Sequence, residues 1–334
     1  MDATILAAHG MQYGCLDIDG FNPDALLGVV KDTSFEQRLL GAGYFKARAQ
    51  RLVFPAFSLD RGTYTQQVLA KGMFAPDMMG LALATRCGEP MWLNGRRVEE
   101  GQLMIFAEDR ELAVRSVSPL WQWAVLRIPR SSLQAAIFCR LRRELALPQH
   151  GWRLCPRTAD RNLKLRMRVQ LALHRASQWG PSTPVAEADM LGELLLDAFV
   201  TALERASGAG EAVVTMDRLQ QKERFLQRAE AYLRSHEAQQ FSSRSLESAL
   251  SMSERQMERV FRDIYGMTPK RWYQVARLNQ ARKLLLDEPG SRVTEIAFRS
   301  GFSHLGRFAS DYRDLFGERP SETHTACNKT KKSH

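Results

Sequence analysis

The sequence predicts an α+β chain. An N-terminal β-sandwich or barrel with helices behind it precedes an all-α C-terminal domain of two tandem helix-turn-helix units. Three observations carry this. Short apolar runs separated by turn residues fill 47–129, the spacing becomes helical from 131, and a nonapeptide occurs twice. It reads FRDIYGMTP at 261–269 and YRDLFGERP at 312–320, a constant offset of 51 residues. Such self-similarity is the mark of a duplicated structural unit. Each copy ends a helical pattern with Gly and then Pro, which is how helices stop.

Composition sets the outer bounds. A chain of 334 residues suits two domains. No apolar run is long enough to span a bilayer, and the start, MDATILAAHG, lacks the basic-then-apolar pattern of an export signal. Five scattered cysteines without a CxxC pair read as reduced thiols, so a cytoplasmic location is expected. Net charge is +10 and unevenly placed. Residues 216–334 hold 22 basic and 15 acidic side chains (+7), and residues 1–215 hold 25 and 22 (+3). The smaller part therefore favours an anionic partner such as nucleic acid.

Residues 1–46 are weakly patterned, and Ser34–Leu40 suggests a short helix. Strands are expected at Ala49–Phe54, Tyr64–Ala70, Met78–Thr85, Met91–Leu93, Leu103–Phe106, Leu112–Val117 and Trp121–Ile128. Asn94-Gly95 marks a two-residue hairpin turn. Helical spacing covers 131–147, 160–179 and 184–206, and the last two segments are expected to form a dimer interface. Domain 1–206 is thus a β unit with helices and an expected dimer interface, 207–216 a linker, 217–324 an all-α unit, and 325–334 a disordered tail.

Within the C-terminal unit, an amphipathic helix is expected over Arg218–His236. Leu246–Leu250, a turn at Ser251-Met252 and a helix over Glu254–Tyr265 make the first helix-turn-helix. Ser253 with Gln256 fits a capping box. Pro269–Leu286 is a spacer helix of roughly 27 Å at about 1.5 Å per residue. Thr294–Arg299, Gly301-Phe302 and a helix from His304 capped by Ser303 make the second unit. This spacer can set two recognition helices about one duplex turn, roughly 34 Å, apart.

Periodicity turns Met257, Val260, Phe261 and Ile264 inward and leaves Arg255, Gln256, Glu258, Arg259 and Arg262 outward. In the second helix Phe308, Tyr312 and Leu315 face in, while Leu305, Gly306, Arg307, Ser310 and Asp311 face out. Arg255 and Arg259 can pair bidentately with guanine, and Glu258 can accept from cytosine. Arg262 is placed for phosphate, which positions without specifying. Leu305 can touch a thymine methyl, but Leu305 and Gly306 offer no bidentate bonds, so the first helix is expected to discriminate more strongly.

On these residues the chain resembles the AraC/XylS family of transcriptional regulators over about 218–324. The pattern is carried by Leu246, Ser253, Met257, Arg259, Phe261, Gly266 and Pro269, by Arg277-Leu278, Ala281 and Leu284-Leu285, and by Ile296-Ala297, Gly301-Phe302-Ser303, Phe308, Tyr312-Arg313, Phe316-Gly317 and Pro320. The resemblance implies a cupin-like N-terminal domain that binds an effector or dimerises. It also implies base contacts at Arg255, Glu258 and Arg259, and near Leu305, Gly306, Arg307 and Ser310. Glu247 departs from the small residue usual there. Double-stranded promoter DNA, a second copy of the chain and RNA polymerase are the partners implied, with activation the expected sign.

No GxSxG, HExxH, Walker loop or GxGxxG occurs, and none of the seven histidines lies in 47–129. No catalytic residue, metal or cofactor is therefore expected. Trp92, Trp121 and Trp123, with Arg86 and Arg127, are the candidates for an effector pocket, and the effector itself is not legible. Two other readings stay open: a β domain that is an enzyme or binding module carrying a DNA-targeting unit, and a nucleoid-type protein without sequence preference.

Overall fold

The computed structural model describes residues 2–8, 10–74, 77–108, 111–180, 183–207 and 242–332. Between 208 and 241 it describes only Phe225, Arg228, Ala229, Ala231, Tyr232 and Ser235, all helical. The linker expected at 207–216 lies outside the described residues apart from Ser207, as does most of the helix expected over Arg218–His236.

Among the described residues thirteen strands build two antiparallel sheets. They are β1 (Asp2–Ala8), β2 (Met11–Asp19), β3 (Ser34–Leu39), β4 (Lys46–Val53), β5 (Ser58–Tyr64), β6 (Val68–Met73), β7 (Met78–Cys87), β8 (Met91–Leu93), β9 (Arg96–Val98), β10 (Leu103–Phe106), β11 (Glu111–Arg115), β12 (Trp121–Pro129) and β13 (Trp152–Leu154). The larger sheet runs β1-β2-β4-β5-β12-β7-β10-β13, and the smaller runs β3-β6-β11-β8-β9. Asn94 and Gly95 both take positive φ (46° and 75°), as the tight turn between β8 and β9 demands.

The centre of the larger sheet is buried on both faces, which is why β7 reads as a nearly continuous apolar run. Alternation along β12 sorts the two sides. Trp121, Trp123 and Val125 meet the smaller sheet, while Ala124, Leu126 and Ile128 meet helices. Those helices are α2 (Arg130–Leu141), α3 (Leu163–Ala176) and α4 (Val185–Ser207); a short α1 (Pro23–Leu27) lies beside β3. The first of the three ends at Arg142 in the left-handed region, short of the expected 147.

Several expectations need correction. The segment expected to be a helix over Ser34–Leu40 is a strand, Ser34–Leu39. Phe35 and Gln37 are buried at alternating positions with Leu39, and this period overrides the helix-forming Glu, Gln and Arg between them. The β region starts at residue 2 rather than 47, because β1 and β2 form an edge hairpin with only partial burial. Tyr64–Ala70 is not one strand: Tyr64 ends β5 and Val68 opens β6.

The C-terminal domain comprises α5 (Ser243–Leu250), α6 (Glu254–Tyr265), α7 (Pro269–Asp287), α8 (Val293–Arg299), α9 (Leu305–Phe316) and α10 (Pro320–Lys332). Two corrections fall here. The last helix continues to Lys332 through the segment expected to be disordered from 325. His304, not Ser303, is the N-cap of α9, and it makes no side-chain cap bond.

Candidate nucleic-acid interface

Each helix-turn-helix is held from beneath by its aromatic residues. In the first, Phe261 lies 5.0 Å from Trp272 and 5.3 Å from Phe225, edge to face. In the second, Tyr312 and Phe316 lie 4.5 Å apart, and Phe302 sits 5.0 Å from Phe308. The turn of the first unit bends at Ser251 (φ 53°), and Ser253 with Gln256 forms the expected capping box. Arg277 of the spacer α7 reaches the second unit, donating from Nε to the Ser300 carbonyl at 2.7 Å and lying over the Phe302 ring.

With the aromatic faces turned in, Arg255, Gln256, Glu258, Arg259 and Arg262 are all exposed on α6. Among the described residues Arg255, Arg259 and Arg262 have no ion-pair partner, so each cation is available to an anion. Gln256 is committed locally: its Oε1 accepts from the Ser253 backbone N–H at 3.2 Å and from the Ser253 hydroxyl at 3.1 Å. Capping thus uses the acceptor that reading a base edge would need. Glu247, flagged for its size, is half-buried.

The second recognition helix differs. Leu305, Gly306, Arg307 and Ser310 are exposed, as is Ser303 ahead of it. Asp311 is half-buried rather than outward. Its Oδ2 lies 3.8 Å from Arg307 Nε and accepts from Gln274 Nε2 at 2.5 Å, while Gln274 Oε1 accepts from Arg271 at 3.1 Å. A polar chain therefore runs from the start of α7 to the only basic side chain in the first turn of α9. Arg313 repeats Arg262 in the last turn, so in the N-terminal half one cation with a carboxylate beside it, Arg307, replaces Arg255 and Arg259 of the first helix.

Between the units runs a groove of about 640 Å³, lined among others by Ser243, Lys270, Gln274, Ser303, His304 and Arg307. Lys270 was not singled out from sequence. It stands at the second position of α7, where the helix dipole disfavours a cation, and that mismatch is the signal that could have marked it.

A second candidate site lies between the two sheets. A cavity of about 70 Å³ is lined almost wholly by apolar side chains, Phe35, Phe74, Phe106, Trp121 and Trp123 among them. Gln37 and Tyr64 are its polar groups, joined by a 3.1 Å bond from Gln37 Nε2 to the phenol. Gly62 makes room for Trp123, since a Cβ there would come within 2.4 Å of the indole. Of the five sequence candidates, Trp121 and Trp123 line this cavity. The other three lie elsewhere: Trp92 stacks on Arg115 at 5.6 Å, Arg86 is exposed, and Arg127 is buried, donating to the Lys31 carbonyl 3.6 Å from Asp32. Cys87 is buried, and burial first, then Glu100, pushes its thiol up to about 11. Among the described residues no three His, Cys, Asp or Glu side chains group as metal ligands would, and no helix is long and apolar enough to cross a membrane.

Comparison with known proteins bears on the C-terminal part. The helix-turn-helix domain description matches residues 246–326. Over 93 residues the chain is 41% identical to the probable thc operon regulatory protein of Rhodococcus erythropolis, covering 27% of this chain and 28% of that one. Over 80 residues it is 42% identical to the XylDLEGF operon transcriptional activator of Pseudomonas putida, covering 23% and 25%. The match thus spans about a quarter of the length of these relatives. Among solved structures, a probable AraC family transcriptional regulator from Rhodopseudomonas palustris is 33% identical over 31% of this chain and 97% of that one, with a TM-score of 0.29.

Proposed function

We propose that the chain, whose residues 246–326 match a helix-turn-helix domain, is a sequence-specific, DNA-binding regulator of transcription of the AraC/XylS type, acting as an activator in the cytoplasm. The carrying observation is the pair of recognition helices, each with its aromatic face buried and its polar face bare. The two enter successive major grooves of promoter DNA. Arg255 and Arg259 read guanine, Glu258 reads cytosine and Arg262 meets phosphate. Leu305 and Ser310 touch base edges in the second groove, and Lys270, Ser303 and Arg307 hold the strand that crosses between.

The N-terminal domain pairs two copies of the chain. Leu163, Met167 and Leu171 on α3 and Met190 and Leu194 on α4 form exposed apolar rows at helical spacing. Met167→Glu is expected to yield monomers by sedimentation. An effector enters the cavity between the sheets. At about 70 Å³ it is far below the roughly 300 Å³ of a drug-sized site, so the ligand is small and apolar or opens the sheets apart. RNA polymerase is the partner through which bound protein acts.

The test is competition at physiological salt between a DNA site selected from a random pool and random duplex. A preference of at least about a thousandfold is expected. Equal affinity would leave the nucleoid-type reading.

A further inference from the structure

The duplicated nonapeptide has a use besides closing its helices. Asp263 and Asp314 are equivalent positions of the repeat, and the backbone carbonyl of each accepts a bond from the N-terminal domain. Arg115 of β11 donates from Nη2 to the Asp263 carbonyl at 3.4 Å, and the Gly43 backbone N–H donates to the Asp314 carbonyl at 3.2 Å. The repeat's glycines mark the same two places. Gly266 (φ 71°) and Gly317 (φ 74°) end α6 and α9 in the left-handed region. A Cβ on the first would come within 2.7 Å of the Arg115 guanidinium, and one on the second within 2.6 Å of the Tyr44 backbone nitrogen. Both recognition helices thus meet the N-terminal domain at their C-terminal ends, away from the turns that precede the base-reading residues.

The spacer supplies a third point. Asn279 of α7 is buried and completes an amide pair with Leu39 of β3: the Leu39 N–H donates to Oδ1 at 2.8 Å and Nδ2 donates to the Leu39 carbonyl at 2.9 Å. This side chain covers an otherwise open edge of the smaller sheet, as a neighbouring strand would. One turn on, buried Arg282 donates from Nε to the Phe21 carbonyl, and from Nη1 to the Tyr312 hydroxyl at 3.1 Å and to Glu318 at 2.8 Å. A single guanidinium ties an N-terminal loop to the second unit. Phe21 also lies 6.2 Å from Phe316, stacked.

We propose that the N-terminal domain carries a three-point docking surface whose partner is the duplicated helix cap. Arg115 grips the first unit, Gly43-Tyr44 and Phe21 grip the second, and Leu39 grips the spacer between them. The surface fixes the two reading heads relative to each other, so the spacing read on DNA belongs to the whole chain and not to the C-terminal domain alone. Gln37, two residues before Leu39 on β3, lines both the apolar cavity and the crevice against α7. The spacer's anchor and the cavity wall therefore share one strand.

Amide hydrogen exchange on the full chain tests this in wild type, Asn279→Ala and Arg115→Met. Wild type is expected to protect 37–44, 263–266 and 314–317. Asn279→Ala is expected to speed exchange by about tenfold in all three segments together, with strands 81–85 and 123–128 unchanged. Arg115→Met is expected to do so in 263–266 and, through the shared clamp, in 37–44. Should Asn279→Ala also release the control strands, Arg115→Met alone decides. Unprotected segments in wild type, or changes confined to each variant's own contacts, would overturn the proposal. Its consequence for DNA rests on the regulator reading, and a second arm addresses it separately. One base pair inserted between the half-sites of a selected site is expected to weaken wild type more than Asn279→Ala. Equal weakening would overturn the coupling to spacing and leave the exchange result standing.

Discussion

The two helix-turn-helix units share a scaffold and differ in what they hold up to solvent. Both bury two aromatics in the C-terminal half of the recognition helix, Phe261 and Tyr265 in one and Tyr312 and Phe316 in the other, and both stop at a left-handed glycine. Yet ahead of the shared arginine (Arg262 in one, Arg313 in the other) the first presents Arg255 and Arg259, which have no ion-pair partner among the described residues, while the second presents Arg307 beside a carboxylate, flanked by Leu305 and Gly306. The first opens on a capping box and the second has no side-chain bond at its N-cap. Duplication preserved the parts that fold and released the parts that read, so the units are suited to half-sites of different sequence and unequal stringency.

That comparison can be broken at its shared scaffold first. Tyr265→Ala and Phe316→Ala, at equivalent positions of the repeat, each remove a buried aromatic and are expected to cost about 3–5 kcal/mol, seen as a lower unfolding midpoint in denaturant. If one were cheap, the two scaffolds would not be equivalent. Next come the reading residues. Arg259→Ala and Arg255→Ala are each expected to cost about 1–3 kcal/mol at a selected site and to relax base preference there. Arg307→Ala should instead weaken all sequences alike and lower the salt slope by about 1, measured by titration at several salt concentrations. Loss of base preference on Arg307→Ala would erase the asymmetry. The caps give the smallest contrast. Ser253→Ala is expected to cost about 1 kcal/mol of stability, and Ser303→Ala close to none, because Ser303 is not the cap of α9.

The C-terminal domain was legible because its signals are local. Gly and Pro punctuate it, capping residues open its helices, and the repeat sets its frame. The N-terminal domain was legible in class but not in extent. β3 carries Glu36, Gln37 and Arg38, whose helical leaning is overridden by burial at every second position, and β1 and β2 form an edge hairpin whose alternation is diluted by half-exposed positions. Trp121 and Trp123 were found as pocket residues by simple strand alternation, whereas Arg127, on the same strand, serves the Lys31 loop. What no local pattern could show is the pairing of Asn279 with Leu39, which are 240 residues apart in the chain. Asn279 and Arg282 look like ordinary polar positions of an amphipathic helix until the fold buries them.

The central claim is that the first unit carries the stricter reading. The most direct measurement takes a site selected by the full chain from a random pool and substitutes each base pair of the two half-sites in turn, measuring affinity at physiological salt. The account predicts losses of about 1–3 kcal/mol per substitution under α6 and less than about 1 kcal/mol under α9. Equal losses in the two half-sites, or larger ones under α9, would contradict it.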